Sequence, residues 1–231
     1  MPDRDYARPF PDVPRREVYR YLGYRGAVPD EDMRRKAEDV IEKLRQVAQP
    51  RMTYRRFPLT WQEGKASVAG FALEGGDIHR NLLGCREAFL VAATLGGGTD
   101  RLMTRLALSS SADMVLLQAV AAAALEEVLD LEEQAVKQRL LPEGLSLRPR
   151  FSPGYGDLPL TMQPRILEAL AAPKLIGLSV TDSLMLTPQK SVTALAGICK
   201  TGKERVDEKG CRACDKLDCP MRNEQLFLEE T

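Results

Sequence analysis

One long stretch without glycine or proline, "SADMVLLQAVAAAALEEVLDLEEQAVKQRLL", restricts the possible folds of this chain most strongly. Its alanines and leucines have high intrinsic helix propensity. The preceding "SSSAD" supplies serine and aspartate side chains of the kind that cap the N-terminus of a helix. We therefore predict one long helix here, and we expect it to form the spine against which the rest of the chain packs.

Other segments carry the patterns of strands. "RMTYRRFPL" and "ASVAGFALEG" flank the polar turn "TWQEGK", which predicts a hairpin, and "EAFLVAATLG" is a continuous apolar run typical of a strand buried on both faces. We also expect a strand in "KLIGLSVTDSLMLTP", and "SVTALAGI" is a further apolar segment. The fold class predicted is α+β, a largely antiparallel sheet flanked by helices, with a cysteine-rich C-terminal tail.

Glycines 96 to 98 lie between the apolar run and the helical pattern that begins near Thr99. A glycine-rich turn before a helix can bind an anion through backbone amides. The spacing matches neither the dinucleotide fingerprint nor the P-loop, because no Lys-Ser/Thr pair follows. We expect a tight turn that needs positive φ.

Composition limits the classes of partner. Lysine plus arginine and aspartate plus glutamate number 33 each in 231 residues, so no basic surplus attracts nucleic acid. The longest apolar run, "MVLLQAVAAAAL", is interrupted by Gln118 and is too short to cross a bilayer. "MPDRDYARPF" lacks the apolar core of a secretion signal. We expect a cytoplasmic protein that binds neither nucleic acid nor membrane.

The five cysteines indicate thiols or metal ligands rather than a disulfide framework. Cys211, Cys214 and Cys219 have short spacings that let thiolates converge on one ion, and Cys199 is a possible fourth ligand. Zinc, an iron–sulfur cluster and redox-active or unligated thiols all remain open. Three segments are predicted: an N-terminal helical segment (1–50), an α+β core (51–198) and the cysteine-rich tail (199–231).

The segment "RPRFSPGYGDLPL" is the main candidate for a binding loop. Pro149 and Pro153 fix φ at two points, and a stiff loop loses little entropy when it captures a ligand. Arg150 offers a planar fork for a carboxylate, Gly154 allows close approach to the backbone, and Tyr155 supplies an aromatic face. The alternative is a proline-rich connector in which Arg150 pairs with a surface acid.

"RFSPGYGDLPLTMQPRILEAL" and the following "IGLSVTDSLMLTPQKSVTALAGI" resemble the activation domain of cobalamin-dependent methionine synthase. The resemblance extends over roughly residues 65 to 198. That family binds S-adenosylmethionine through an Arg-x-x-x-Gly-Tyr loop, matched here by Arg150, Gly154 and Tyr155, with Pro153 before the glycine. By the same resemblance Glu126, on the long helix, occupies the position of an acidic residue that lines the S-adenosylmethionine site.

The resemblance implies a stand-alone activation subunit that positions S-adenosylmethionine to methylate the reduced cobalamin of a partner protein. The partner would be the cobalamin-binding domain of methionine synthase or another corrinoid protein, with flavodoxin or ferredoxin as electron donor. The alternative is a docking subunit for another corrinoid methyltransferase that does not itself bind S-adenosylmethionine.

Overall fold

An antiparallel sheet lies at the centre of the structure, a computed structural model that describes residues 6–24 and 27–202. The helices are α1 (Arg15–Tyr21), α2 (Glu31–Val47), α3 (Gly76–Leu82), α4 (Gly97–Ser109), α5 (Ser111–Leu140), α6 (Met162–Leu170) and α7 (Ala172–Ile176). The strands are β1 (Arg51–Gln62), β2 (Lys65–Val68), β3 (Phe71–Ala72), β4 (Glu87–Thr94), β5 (Leu145–Leu147), β6 (Ser179–Val180), β7 (Leu186–Thr187) and β8 (Ser191–Lys200).

The main sheet has the strand order β3-β2-β1-β4-β8-β5 within the described residues, and every neighbouring pair is antiparallel. Strand β4 is central, because it pairs with β1 from Arg51↔Thr94 to Pro58↔Glu87 and with β8 from Glu87↔Ile198 to Thr94↔Ser191. The predicted α+β class with a largely antiparallel sheet is confirmed, and so are the β1–β2 hairpin and the strand in "EAFLVAATLG".

Helices cover both faces of this sheet. Side chains of a strand alternate between its two faces, and on β4 Val91 and Ala93 pack into one core while Leu90 and Ala92 pack into the other. The first core contains residues of α2, α4 and α5, and the second contains residues of α3, α6 and α7. Burial on both faces explains why the β4 sequence is a continuous apolar run rather than an alternating one.

Helix α5 is the spine that its sequence predicts. The Ser110 hydroxyl accepts a hydrogen bond from the Asp113 N–H at 3.2 Å and caps its N-terminus. The helix contacts α1, α2 and α4 on its sides, and it also packs on β4 and β5. A helix enclosed in this way must be apolar nearly all round, which accounts for its alanine-rich centre. No helix in the described part of the chain is long and apolar enough to cross a membrane.

The segment "KLIGLSVTDSLMLTP" differs from the predicted strand. Its first residues belong to α7, and the rest forms a small hairpin of β6 and β7. The polar residues at the tip determine this turn. The Thr181 and Ser183 hydroxyls are 2.9 Å apart, and Thr181 Oγ1 accepts the Met185 N–H at 3.1 Å, while Leu184 has φ of 62°.

The glycine-rich segment at the start of α4 is a packing feature. Gly96 precedes the helix, and Gly97 and Gly98 are its first residues, so the helix begins two residues before the Thr99 that the sequence predicts. Gly96 has φ of 82°, a conformation that other residues rarely adopt. Gly98 lies so close to the C-terminal end of α2 that a side chain there would collide with the Val47 carbonyl. The turn therefore fixes the approach of α4 to α2.

Replacement of Gly98 by alanine should lower the free energy of unfolding by about 3 kcal/mol, the upper end of typical overpacking costs. The neighbouring Gly97→Ala is the matched control. Its added Cβ would lie 3.6 Å from Arg101 Nη1, an ordinary contact, so stability should change little. Urea denaturation of the two variants measures the difference, and equal stabilities would contradict this account of the turn.

Candidate functional site at the sheet edge

The chain after α5 runs along the edge of the main sheet, and its side chains lie on both faces of the sheet. Beyond β5, the Arg148 N–H donates to the Gly197 carbonyl at 2.8 Å, and Phe151 exchanges two backbone hydrogen bonds with Leu195 at 2.8 and 2.9 Å. Arg148 and Phe151 are buried, with Phe151 in the core that contains α3. Arg150 instead contacts α5. The backbone pairing of this segment with β8 positions the Arg150 guanidinium against α5.

Three carboxylates of α5 surround the Arg150 guanidinium. Its Nη1 donates to Glu133 Oε2 at 2.5 Å, and its Nη2 donates to Asp130 Oδ1 at 2.6 Å and to Glu126 Oε2 at 3.1 Å. The Arg150 side chain is 19% exposed, whereas those of Glu126 and Asp130 are about half exposed, at 48% and 55%. Arg150 and these three carboxylates carry two net negative charges, which Lys137, 2.7 Å from Glu133, reduces to one. The cluster opens to solvent on the Glu126 side.

Burial and neighbouring charges both shift the pKa values of the groups at this site. Burial alone lowers the pKa of Arg150, but the hydrogen bond to Asp130 and the charges of Glu133, Asp130 and Glu126 outweigh it, so that its pKa is raised. Burial raises the pKa of Glu126, and the charge of Arg150 only partly offsets this. Burial, together with the Glu126 charge, also raises the pKa of Tyr21 on α1. A cation bound beside Glu126 would offset the cost of burying its negative charge.

The loop that follows turns away from α5. The Tyr155 ring packs edge-on against Phe151, with centroids 5.2 Å apart and planes at 74°, and 64% of Tyr155 is exposed. Gly154 has φ of 90°, and its N–H donates to the Leu158 carbonyl at 2.8 Å. Gly154 is therefore required by the backbone of the turn as well as by any ligand that approaches it.

Asp157 fastens this loop to α3. Its carboxylate accepts the N–H groups of Gly76 at 2.6 Å and Asp77 at 3.0 Å, at the N-terminus of that helix. A carboxylate is the favoured partner for the unpaired amides of a first helical turn. A side chain at Gly156 would meet Asp77 Oδ2 at 2.7 Å, so the loop and helix are in close contact.

The structure thus joins two of the predicted ligand-binding residues and separates them from the others. Arg150 and Glu126 form an ion pair, while Gly154 and Tyr155 contact Leu158 and Phe151 on the α3 side. Pro153, between them, is partly buried in the turn.

Asp130 and Glu133 complete the Arg150 cluster, and the sequence interpretation did not include them. A signal was present, since Glu126, Asp130 and Glu133 are spaced i, i+4, i+7, the spacing of one helix face.

Two clefts lie beside the acidic face of α5. The first, between α1 and α5, has a volume of about 340 Å³. Its lining is Pro14, Glu17, Arg20, Tyr21, Ala123, Glu126, Glu127 and Asp130. The second cleft, between α5 and the sheet, has a volume of about 20 Å³. Arg150, Glu133 and Tyr54 line it together with apolar side chains. Only the first is large enough for part of a small ligand.

The predicted metal ligands have different positions. Cys211, Cys214 and Cys219 lie outside the described residues. Cys199 is on β8, 3% exposed, with Sγ 3.8 Å from the Ser146 carbonyl oxygen, so it belongs to the sheet and the second core. Within residues 6–24 and 27–202, no group of three His, Cys, Asp or Glu residues could hold a metal ion. The metal site stays a prediction.

Comparison with known proteins identifies the fold. No model of a protein family matches the chain, and no curated protein matches it. Among solved structures it is similar to the MetH reactivation domain bound to AdoHcy, with a TM-score of 0.57 and 17% sequence identity over 78% of this chain and 74% of that one. The chain has a reactivation-domain-like fold. At this identity the likeness concerns the fold alone.

Replacement of Arg150 by methionine tests the electrostatic role of the cluster in stability. At neutral pH the three carboxylates would keep only the Lys137 ammonium, which lies beside Glu133, as a cationic partner, and we expect a loss of about 1–2 kcal/mol in the free energy of unfolding, discounted for partial exposure. Because burial and the charge of Asp130 raise the pKa of Glu126 while Arg150 opposes this rise, the loss should shrink as the pH falls through the pKa of Glu126 and this group binds a proton.

Lys137→Met is the matched control, because Lys137, whose side chain is 46% exposed, forms an ion pair with the same Glu133 at 2.7 Å. Exposed pairs of this kind contribute at most about 0.5 kcal/mol. Urea denaturation of both variants across acidic to neutral pH makes the comparison. A pH-independent loss in Arg150→Met would show that lost packing, not charge, is responsible.

Proposed function

We propose that this chain is a stand-alone activation subunit that presents S-adenosylmethionine to the reduced cobalamin of a partner methionine synthase. The observation that carries the proposal is the Arg150 guanidinium framed by Glu126, Asp130 and Glu133. The fold likeness to a reactivation domain crystallised with AdoHcy supports the same conclusion.

The charges of the cluster fit this ligand. S-adenosylmethionine carries a carboxylate, an ammonium and a sulfonium group within a short distance of one another. Arg150 can bind the carboxylate in the bidentate geometry that a guanidinium favours. With Lys137 included, the cluster carries one net negative charge, which complements the one net positive charge of the ligand, because an opposite charge stabilises a partly buried ion.

The chain would bind and orient the ligand rather than transfer protons. Arg150 would hold the amino-acid end, and Glu126 would face its cationic part. A role of Pro153, Gly154 and Tyr155 in ligand binding stays a prediction, because this loop lies on the α3 side, away from Arg150 and Glu126. The methyl donor supplies the chemistry when bound, since irreversible methylation draws forward an unfavourable reduction of cobalamin. Fixed orientation is the contribution of the protein.

The partners follow from the same proposal. The client would be the cobalamin-binding domain of methionine synthase or another corrinoid protein, and flavodoxin or ferredoxin would supply the electron in the cytoplasm. Zinc or an iron–sulfur cluster at Cys211, Cys214 and Cys219, with Cys199 as fourth ligand, could serve electron transfer or stability.

A second function is favoured by one contact. Arg150 already donates hydrogen bonds to three carboxylates, the shortest at 2.5 Å, so its positive charge is compensated without a ligand. Under this alternative the chain is a docking subunit for another corrinoid methyltransferase and does not itself bind S-adenosylmethionine.

Reactivation is the direct test of the proposed function. The chain is mixed with synthase in the cob(II)alamin state, a reductant and S-adenosylmethionine, and the methylcobalamin absorption spectrum is followed. We expect the spectrum to appear only with all components, and Arg150→Ala to abolish most of the activity while Lys137→Met retains it. A spectrum that forms equally fast without the chain would contradict the proposal.

Calorimetry with the isolated chain separates the two functions. We expect S-adenosylmethionine to bind, and Glu126→Gln to weaken binding by about 1.5–3 kcal/mol, the contribution of a charged hydrogen bond. Because the pKa of Glu126 is raised by burial, affinity should fall as the pH drops through that pKa, and the variant should lose this dependence. The exposed Glu168→Gln on α6 is the control. Absent binding together with intact reactivation would favour the docking subunit.

A further inference from the structure

Glu127 on α5 lines the cleft between α1 and α5. It is partly buried, and among the residues that the structure describes it has no hydrogen-bond or ion-pair partner. The other carboxylates of this cleft are paired, because Glu126 and Asp130 contact Arg150, and Glu17 contacts an arginine of α1. Glu127 is therefore the acid of the cleft whose negative charge is not compensated.

The influences on the Glu127 carboxylate all act in one direction. Burial raises its pKa, and the charges of Asp130 and Asp12 raise it further. For Glu126 the corresponding rise is opposed by the charge of Arg150, which lies 3.1 Å away. A carboxylate that is partly desolvated beside like charges is stabilised by a cation that enters next to it. The cleft thus offers a binding position for a positive group at Glu127.

This position and the Arg150 cluster can be reached by one ligand. Glu126 and Glu127 are consecutive residues of α5, so they are about 1.5 Å apart along the helix axis and about 100° apart around it. A ligand whose carboxylate binds Arg150 would meet Glu126 first and Glu127 next. In S-adenosylmethionine, two methylene groups separate the carbon that carries the ammonium from the sulfonium sulfur. The ammonium would therefore lie at Glu126 and the sulfonium at Glu127.

We propose that Glu127 is a specificity-determining residue, which makes the site prefer a sulfonium methyl donor to the neutral thioether that remains after methyl transfer. When the methyl group leaves, the C–S bond breaks and its electron pair stays on sulfur. The nucleophile that accepts the methyl group supplies the electrons of the new bond. The ligand thus loses its sulfonium charge but keeps its ammonium and carboxylate. This inference rests on the proposed function, because it requires that the site binds S-adenosylmethionine.

Charge is the property by which the cleft can separate these two ligands. Donor and product differ by one methyl group and one positive charge, and a methyl group alone gives weak discrimination. A neutral thioether would leave Glu127 again without a cation, whereas the contacts at Arg150 and Glu126 would stay the same. The product would therefore dissociate more readily than the donor, and the next donor would bind in its place.

Calorimetry with three ligands measures this preference in the full chain at neutral pH. The ligands are S-adenosylmethionine, S-adenosylhomocysteine and sinefungin, in which a carbon with an ammonium group replaces the methylated sulfur. We expect the two ligands with the additional positive charge to bind about tenfold more tightly than S-adenosylhomocysteine, an effect between those of exposed and buried charge pairs. Glu127→Gln should lose this preference, and its affinity for S-adenosylhomocysteine should be unchanged.

Glu17→Gln is the matched control, because Glu17 lines the same cleft but already has an arginine partner at 2.6 Å. It should keep the preference, and Glu127→Asp, which retains the charge, should keep most of it. Equal binding of S-adenosylmethionine and S-adenosylhomocysteine by the wild-type chain, or an unchanged preference in Glu127→Gln, overturns this inference and leaves the proposed function intact. If none of the three ligands binds, the inference and the ligand binding of the proposed function both fail.

Discussion

The packing of helix α5 across the sheet is the contact on which the rest of the structure depends. Its central residues from Ala119 to Ala124 are small, and nearly all are buried between the sheet and the helices α1, α2 and α4. Small side chains allow the helix axis to approach its neighbours closely. The position of the helix in turn determines where its acidic face meets the chain, since Glu126, Asp130 and Glu133 continue the same helix toward the sheet edge. The candidate site is therefore a consequence of core packing.

Sequence patterns predict the parts of this fold that depend on one dominant periodicity. The uninterrupted apolar run of β4 and the alanine-rich α5 were both recognisable, because burial on all sides leaves a continuous signal. The β6–β7 hairpin was not, since its turn depends on hydroxyl contacts at Thr181 and a left-handed Leu184. Local polar hydrogen bonds of that kind override strand propensity.

Only part of the candidate site was predictable from the sequence. Arg150 and Glu126 were identified through resemblance, and the structure joins them at 3.1 Å. The separation of Tyr155 from that pair could not be foreseen, because it results from alternation along the sheet edge. Successive residues of an extended chain point to opposite sides, so Arg150 faces α5 while Phe151 enters the other core and carries Tyr155 with it. Between the pairs Leu147↔Ile198 and Phe151↔Leu195 the edge segment has one residue more than β8, which interrupts the alternation. Arg148 therefore lies on the face opposite to Arg150 and is buried over Gly197.

The charge balance at Arg150 decides which ligands the site can accept. A purely anionic ligand would have to displace one of the three carboxylates, most readily Glu126 at 3.1 Å, and leave it without a cationic partner, which is unfavourable in a partly buried position. A ligand with one carboxylate and two cationic groups can exchange partners without leaving any charge unpaired. Its carboxylate would replace Glu126, the most distant of the three at 3.1 Å, and Glu126 would then pair with the cation that enters beside it. Because Glu126 also lines the larger cleft toward α1, the exchange would place the rest of such a ligand in the space that the fold provides.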